Sequence, residues 1–518
     1  MTAHQVLFGA PKVQIESRPV FLRLMSTIQD LPDEILEFLS TEPPQSLIVR
    51  GPPGTGKTLL SLALLCHYPG RRVYVSSRVS TKELQREFPW LESKANRIEV
   101  VDAAGGSGGV REKAELVAYA RHQLSDPAGS DELRSLWLPE PIQETWSRLD
   151  PRSPTIVVID SWDALIERYL GFGSSEGGPV PDRPEIERIL VEQMAKAPVF
   201  LVLVTERDEV TQLDYLLNGV VQTRWVRTNS RVERWLSLSK LRGVRLDMTE
   251  YPFTLDGGRF ACITPFPPEY RSRLTKAVPD PDPQPGLIWP GNGEFAAAFG
   301  RLPVRRLTLI EKEPLVPDEA VRTVVRPIIA HAVEHGGRVV QTLPPEIFPD
   351  EMWSSYRDVI SLEQFHHQVR IGSVITHVTD EVRPSLLPRP PPAREGPSGP
   401  LFPQALQFLQ DASPSAPNLL VSWLDGVHEL ARMQGSDLSG ISLPGVAMGY
   451  LSTAPIHVIF IGTEDDPFGR GLRAMASIRL RFRERNGRVF IAGDKPITPQ
   501  FVLADSEGAD SYNLVRVV

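Results

Sequence analysis

Residues 46–68, SLIVRGPPGTGKTLLSLALLCHY, decide the fold of this chain. The stretch begins with a short apolar run typical of a buried strand and closes with a leucine-rich run typical of a buried helix. Between them, residues 51–58 read GPPGTGKT and match the pattern G-x-x-x-x-G-K-[ST]. Strand, glycine-rich loop and helix stand in the order that this motif requires. They predict an α/β domain with a loop that binds the phosphate groups of a nucleotide.

The residue types in this loop, called the phosphate loop below (residues 51–58), explain the prediction. Glycines let the backbone wrap closely, so that consecutive N–H groups and the start of the helix face the phosphates. Lys57 is expected to reach the β- and γ-phosphate oxygens, and Thr58 to offer its hydroxyl to Mg²⁺. The predicted binding residues are Gly51, Pro52, Pro53, Gly54, Thr55, Gly56, Lys57 and Thr58.

A second motif supplies a carboxylate for the same metal ion. Residues 155–160 read TIVVID, an apolar strand that ends in Asp160. An aspartate at the carboxyl edge of a parallel sheet can hold Mg²⁺ through water, so Thr58 and Asp160 are the predicted metal residues. Any buried strand that ends in aspartate would look the same, and the phosphate loop gives this one its interpretation.

Composition limits the classes of protein that remain. The chain has 518 residues, 41% hydrophobic and 23% charged, with a net charge of -8. No apolar run approaches the roughly 18 residues that cross a bilayer, and the first residues do not resemble a signal peptide, so we expect a cytoplasmic protein without a membrane partner. Two cysteines cannot build a disulfide framework, and the negative charge counts against nucleic-acid binding.

The order of apolar runs predicts two α/β units. Residues 1–263 form the first, residues 264–291 a proline-rich linker, and residues 292–518 the second, with a proline-rich insertion at about 380–403. Three pairs of segments look duplicated: IVVIDSWDAL with NLLVSWLDGV, FLVLVTERDE with VIFIGTEDDP, and the basic β-rich stretches after Leu216 and Leu472.

Over residues 45–260 the chain resembles the RecA-superfamily P-loop ATPases of the KaiC, GvpD and Rad55-like group. The segments that carry the resemblance are GPPGTGKT, IDSWDAL, FLVLVTE, DYLLNGVVQTRW and LSLSKLRGVRLDMTEYPFTL. The resemblance implies a RecA-like core and assembly as a homo-oligomeric ring or filament. It also implies that Lys240 and Arg242 reach the γ-phosphate bound by a neighbouring protomer, so that these two residues and the Lys57 of the phosphate loop are the catalytic residues. Thr205 is implied to be a sensor of the nucleotide.

The sequence departs from this group in one place that bears on hydrolysis. KaiC-like members have acidic residues directly after the strand that follows the phosphate-loop helix, whereas residues 75–81 here read VSSRVST. Loss of a carboxylate that polarises the attacking water costs roughly 10² to 10⁴ in rate and leaves binding intact. A slow ATP switch is therefore expected rather than a motor.

The second unit is predicted to be a RecA-like copy without a nucleotide site. Its first strand leads into residues 309–317, LIEKEPLVP, which have no glycine and carry carboxylates that repel phosphate. Ser422 replaces Asp160, and residues 493–496, GDKP, replace the Lys240 to Arg242 segment. The fold expected for the whole chain is thus α/β, with tandem RecA-like P-loop domains of which the second is degenerate.

The second unit also contains a strand with alternating arginines, Arg479, Arg481 and Arg483. We expect either a surface for a protein partner or an edge strand protected by charge. The adjacent His366 and His367 point apart on a regular element, so no zinc site is expected there.

These patterns favour an ATP-binding, slowly hydrolysing KaiC-like regulatory ATPase with ATP and Mg²⁺ as cofactors. Two alternatives stay open: an adaptor that senses nucleotide without turnover, and a recombination or repair accessory that binds DNA.

Overall fold

The computed structural model describes residues 28–92, 97–104, 135–150, 152–171, 181–194, 196–228, 231–265, 278–388, 403–433, 443–467, 469–504 and 512–517. The predicted linker lies partly outside these residues, between 266 and 277, and the proline-rich insertion does so between 389 and 402.

The first half of the chain forms a ten-stranded sheet with the order β1-β10-β9-β8-β7-β2-β6-β5-β3-β4. Strands β7, β2, β6, β5, β3 and β4 run parallel, and β8, β9, β10 and β1 extend the sheet in antiparallel fashion. The bounds are β1 (Ile28–Gln29), β2 (Ser46–Arg50), β3 (Arg71–Ser76), β4 (Glu99–Asp102), β5 (Thr155–Asp160), β6 (Val199–Thr205), β7 (Gly219–Thr228), β8 (Arg231–Leu241), β9 (Glu250–Thr254) and β10 (Ala261–Ile263).

Helices cover both faces of this sheet because its central strands are apolar at successive positions. Along β2, Leu47 and Val49 pack into the cluster that contains the helix after the phosphate loop, while Ile48 packs into the cluster on the opposite face. The helices are α1 (Asp33–Leu39), α2 (Lys57–His67), α3 (Thr81–Glu87), α4 (Glu140–Ser147), α5 (Trp162–Gly171), α6 (Arg183–Met194) and α7 (Gln212–Leu216).

The second half forms a nine-stranded sheet with the order β15-β14-β16-β17-β13-β18-β19-β20-β21, beside a small pair of strands, β11 and β12. The bounds are β11 (Leu287–Ile288), β12 (Leu302–Pro303), β13 (Leu307–Lys312), β14 (Val339–Thr342), β15 (Val369–Gly372), β16 (Asn418–Trp423), β17 (Ile456–Thr463), β18 (Ile478–Arg485), β19 (Arg488–Lys495), β20 (Ile497–Ala504) and β21 (Asn513–Val517). Its helices are α8 (Gly293–Phe299), α9 (Asp318–Glu334), α10 (Pro349–Tyr356), α11 (Leu362–Gln368), α12 (Pro403–Gln410), α13 (Leu424–Met433), α14 (Leu443–Thr453) and α15 (Gly469–Met475).

The two sheets share one topology. In each, the first parallel strand of the unit (β2 or β13) lies between the strand that precedes the antiparallel extension (β7 or β18) and the last strand of the α/β part (β6 or β17). The three predicted segment pairs fall on β5 with β16, β6 with β17, and β7–β8 with β18–β19. The predicted fold class, tandem RecA-like α/β domains, is confirmed.

The two halves contact each other through their antiparallel strands. An apolar cluster between them consists of Trp235, Ile263, Phe490, Val502, Ala504, Val515 and Val517. Around it, Thr254 Oγ1 donates to the carbonyl of Arg516 at 2.7 Å, and Gln500 Nε2 donates to Glu233 Oε1 at 3.1 Å. Arg488 is fully buried here, and its Nε donates to the carbonyl of Ile263 at 3.0 Å.

The described end of the predicted linker packs against the second half. Trp289 is buried, and its Nε1 donates to the carbonyl of Val278 at 3.1 Å. Asp280 forms an ion pair with Arg301, and β11 pairs with β12. Within the described ranges, no helix has the length and apolar character to cross a membrane.

Candidate nucleotide-binding site

The phosphate loop connects β2 to α2 with a backbone that depends on glycine. Gly51 has φ +147°, and a Cβ there would lie 2.2 Å from the carbonyl oxygen of Thr223 on β7. Gly56 has φ +92° in the left-handed region and caps the start of α2 without a side-chain hydrogen bond. The helix therefore presents its first N–H groups to the loop, an arrangement that suits an anion.

Lys57 lies over this loop rather than in solvent. Only 8% of the residue is exposed, and its Nζ donates to the carbonyls of Gly51 at 2.6 Å and Pro52 at 2.9 Å. Burial lowers the pKa of Lys57, although the carboxylates of Glu206 and Asp160 act in the opposite direction. The ammonium thus lies beside the backbone that would surround a phosphate.

Thr58 and Asp160 are in direct contact. The Thr58 hydroxyl donates to Asp160 Oδ2 at 2.8 Å, and the hydroxyl of Tyr74 on β3 donates to the same oxygen at 2.7 Å. Burial and the neighbouring Asp160 raise the pKa of Tyr74 well above its ordinary value, so the phenol stays a donor. A hydroxyl and a carboxylate held this close are oxygen donors that Mg²⁺ accepts.

Thr205, predicted as a sensor, is buried at the end of β6 and donates to Asp163 Oδ2 at 2.5 Å. The same carboxylate accepts from the backbone N–H of Glu206 at 2.7 Å and from Arg183 at 2.7 Å. Burial raises the pKa of Asp163, but the hydrogen bonds from Thr205 and Arg183 outweigh it and the net pKa is lowered. This network fixes the end of β6 beside the site.

Two charged residues near the site were not predicted as functional. Arg78 follows β3, where the resemblance implied a carboxylate, and it forms two hydrogen bonds with Glu206, at 2.5 Å and 2.9 Å. The two residues are 128 positions apart in sequence, so no local pattern could pair them. The only sequence signal was that each follows a buried parallel strand.

Comparisons with known proteins agree with this architecture. The chain is 32% identical over 257 residues to protein GvpD2 of Halobacterium salinarum and 30% identical over 240 residues to protein GvpD1 of the same organism. It is 27% identical over 230 residues to the circadian clock oscillator protein KaiC of Picosynechococcus sp.. Over the matched part, the chain is similar to proteins of the KaiC/GvpD-like group of RecA-superfamily P-loop ATPases.

The similarity to each of these relatives is partial. The match to GvpD2 covers 49% of this chain and 47% of that protein, the match to GvpD1 45% and 41%, and the match to KaiC 41% and 39%. The chain thus spans about half or less of the length of the curated relatives it matches. No protein-family model matches the chain.

The two cations predicted to act across a protomer boundary have different surroundings. Lys240 Nζ donates to the carbonyls of Asp214 at 2.7 Å and Leu217 at 2.6 Å, which fixes the turn after α7. Arg242 is exposed, and its backbone N–H donates to Asn218 at 3.1 Å. Among the described residues, neither side chain forms a hydrogen bond or an ion pair with the phosphate loop of the same chain.

The second half has a different structure where a phosphate loop would stand. Lys312 ends β13 and forms an ion pair at 2.7 Å with Asp318, the first residue of α9. Asp425 lies two residues after the end of β16, and its pKa is raised mainly by burial and to a smaller extent by the neighbouring Asp466. Ser422 pairs with Thr342 in register, as Asp160 pairs with Ser76. Acidic side chains, Asp318 and Asp425, thus lie near Lys312 at the end of β13, where a phosphate loop would begin.

The arginines predicted to face a partner are ion-paired within the chain. Arg479 pairs with Glu311, Arg481 with Asp494 at 2.6 Å, and Arg483 with Glu313 at 3.6 Å. Their strand, β18, lies between β13 and β19 and is not an edge strand. The alternation that looked like a free charged face therefore reflects pairing with acidic residues of neighbouring strands and loops, and these arginines do not present an unpaired stripe.

Proposed function

We propose that the first half binds ATP with Mg²⁺ and hydrolyses it slowly, and that the bound nucleotide controls assembly or the binding of a protein partner. The observation that carries this proposal is the 2.8 Å hydrogen bond between Thr58 and Asp160 at the start of α2. It places the two predicted metal residues in contact, beside Lys57 and a loop whose glycines a side chain would disrupt. The partial similarity to KaiC and GvpD supports the same proposal.

Each predicted group has a role in this proposal. Residues 51–58 would surround the phosphates, Lys57 would contact the β- and γ-phosphate oxygens, and Thr58 and Asp160 would hold Mg²⁺ directly or through water. When bound, Mg²⁺ neutralises charge on the phosphate oxygens. The carboxylate–hydroxyl pair and the uncapped start of α2 fit such a group.

We also propose that a neighbouring protomer completes the site. Lys240 holds its turn through two backbone carbonyls, and the exposed Arg242 follows it by two residues. A cation that reaches the γ-phosphate only in the assembled state would link turnover to oligomerisation, because the developing charge is stabilised only there.

The test is ATP binding and turnover by the purified chain with a Lys57→Ala variant. Lys82→Ala is the matched control because Lys82 is an exposed lysine on α3 and is not part of the phosphate loop. We expect Lys57→Ala to abolish turnover and Lys82→Ala to leave it unchanged, with larger species in sedimentation only when ATP and Mg²⁺ are present.

Other outcomes separate the alternatives. Tight ATP binding without turnover would favour the nucleotide-sensing adaptor. ATP-dependent, salt-sensitive binding to single-stranded DNA would favour the recombination accessory, against which the net charge of -8 counts. Failure to bind ATP would refute the proposed function.

A further inference from the structure

The ion pair between Arg78 and Glu206 crosses the candidate site. In the sheet, β5 lies between β3 and β6, so a residue that follows β3 and a residue that follows β6 meet only above the end of β5. Asp160 is the last residue of β5. The pair therefore spans the carboxyl edge of the sheet next to the predicted metal residue.

Four charged groups share this space. Among the charges that act on Lys57, Glu206 has the strongest effect, followed by Asp160 and then Arg78. Glu206 is anchored through its backbone N–H to Asp163, whereas half of the Arg78 side chain is exposed. The backbone of Glu206 is thus held in place, and the more exposed Arg78 side chain is the member of the pair that can move.

A bound γ-phosphate would change the balance of these charges. Its oxygens would carry negative charge beside Lys57, where they attract the guanidinium of Arg78 and repel the carboxylate of Glu206. Guanidinium groups bind phosphate and carboxylate with the same two-pronged geometry, so Arg78 can exchange one for the other. ADP has no γ-phosphate and would leave the Arg78–Glu206 pair closed.

We propose that this pair is a latch that responds to the γ-phosphate: Arg78 leaves Glu206 for the γ-phosphoryl oxygens of ATP, and the released Glu206 carboxylate orients the attacking water. This inference rests on the proposed ATP binding. The water oxygen forms a bond to the γ-phosphorus, the bond from that phosphorus to the β–γ bridging oxygen breaks, and ADP leaves with the electron pair. The proton of the water passes to Glu206 and then to the product phosphate.

Nucleotide binding tests the first half of the latch. Calorimetric titrations with ADP and with the non-hydrolysable analogue AMP-PNP, both with Mg²⁺, would compare Arg78→Ala, Arg78→Lys and the control Arg86→Ala. Arg86 is an exposed arginine on the nearby α3. We expect Arg78→Ala to weaken AMP-PNP by at least about tenfold and ADP by less than about twofold. Arg78→Lys should be intermediate, because it keeps the charge but not the two-pronged geometry.

Turnover tests the second half. We expect Glu206→Gln to lower the rate by roughly 10² to 10⁴ while AMP-PNP binds as tightly as before or more tightly. The control Glu185→Gln removes an exposed carboxylate on α6 and should leave the rate unchanged.

The outcomes distinguish the latch from the proposed function. Equal effects of Arg78→Ala on ADP and AMP-PNP, or a Glu206→Gln rate within about threefold of wild type, would refute the latch while ATP binding stands. If the wild-type chain binds ATP without turnover, the role of Glu206 in hydrolysis is refuted and the comparison of ADP with AMP-PNP decides the Arg78 exchange. A chain that binds neither nucleotide refutes both proposals.

Discussion

Individual glycines of the phosphate loop differ in what surrounds them. Gly51 and Gly54 both have positive φ, +147° and +76°, yet a Cβ at Gly51 would clash with the Thr223 carbonyl whereas a Cβ at Gly54 would meet no atom within 4 Å. Of these two glycines, only Gly51 is therefore required by both backbone conformation and packing.

We predict that Gly51→Ala destabilises the first half more than Gly54→Ala does. Backbone strain alone costs about 1 kcal/mol for alanine at positive φ, and a clash with a fixed carbonyl adds about 1–3 kcal/mol. Urea unfolding of the two variants measures the difference. Equal losses of stability would contradict the packing argument.

His457 on β17 predicts a dependence of stability on pH. Its Nδ1–H donates to the Pro303 carbonyl at 2.7 Å and its Nε2 accepts from Thr308 at 2.8 Å, and burial lowers its pKa to about 4. The unfolded chain has the ordinary pKa of about 6.5 and takes up a proton that the folded imidazole refuses. We expect the free energy of unfolding to fall by about 3 kcal/mol as the pH drops from about 6.5 to about 4.

The measurement is unfolding by urea at several pH values for the wild type and His457→Gln. The variant should have a flatter dependence over this window, even if it is less stable at neutral pH. His331 is also buried with a pKa lowered to about 4, so part of the slope should remain in the variant. Identical slopes would refute the assignment to His457.

For the individual residues of the candidate site, the sequence predicted the chemistry but not all of the contacts. Lys57, Thr58 and Asp160 belong to motifs whose spacing predicts a role in binding phosphate and Mg²⁺. The partnership of Arg78 with Glu206 depends on which strands are neighbours in the sheet, and the bonds of Lys240 depend on how α7 ends. Neither the order of the strands nor the end of α7 can be predicted from the local sequence.

The position of β18 within the sheet determines which residues its arginines contact. The sequence showed alternation and suggested a free face or an edge. In the sheet, however, β18 pairs in parallel with β13, and Arg479 lies opposite Leu309, two residues before Glu311. The Arg479 side chain forms an ion pair with Glu311, which is 1% exposed. Alternation predicted the strand correctly, whereas its neighbours could be known only from the order of strands in the sheet.

We predict that Arg479→Ala destabilises the second half by about 1–3 kcal/mol, because it removes a charged hydrogen bond to the buried Glu311 and leaves Arg473 as a remaining partner. The control Arg485→Ala removes a pair whose arginine is 45% exposed and should cost less than about 1 kcal/mol. Chemical denaturation compares the two, and equal effects would contradict the burial argument.

The whole molecule has two halves with the same sheet topology, which meet along their antiparallel strands. Three short pairs of segments were enough to predict the shared topology because each includes strands of the sheet, where the apolar pattern is constrained. The contact between the halves was not predictable, since it depends on side chains such as Arg488 and Trp235 that look like ordinary strand residues. The domain limits at residues 263 and 292 stay a prediction.

We predict that Arg488→Ala separates the unfolding of the two halves. Arg488 is fully buried, bonds to the Ile263 carbonyl and lies over the Tyr251 ring at 5.3 Å, so its loss leaves unpaired carbonyls and a cavity at the interface. Calorimetry should show two transitions where the wild type has one. Arg245→Ala, at a side chain that is 89% exposed, is the control and should behave as wild type.

The second sheet keeps its nine strands and its order although its first strand leads into no phosphate loop. A RecA-like core of this kind therefore depends on its apolar strands and helices for its architecture, and it does not require a phosphate loop. Substitutions at Lys57 or Thr58 in the first half should accordingly change nucleotide binding or hydrolysis and leave the fold intact.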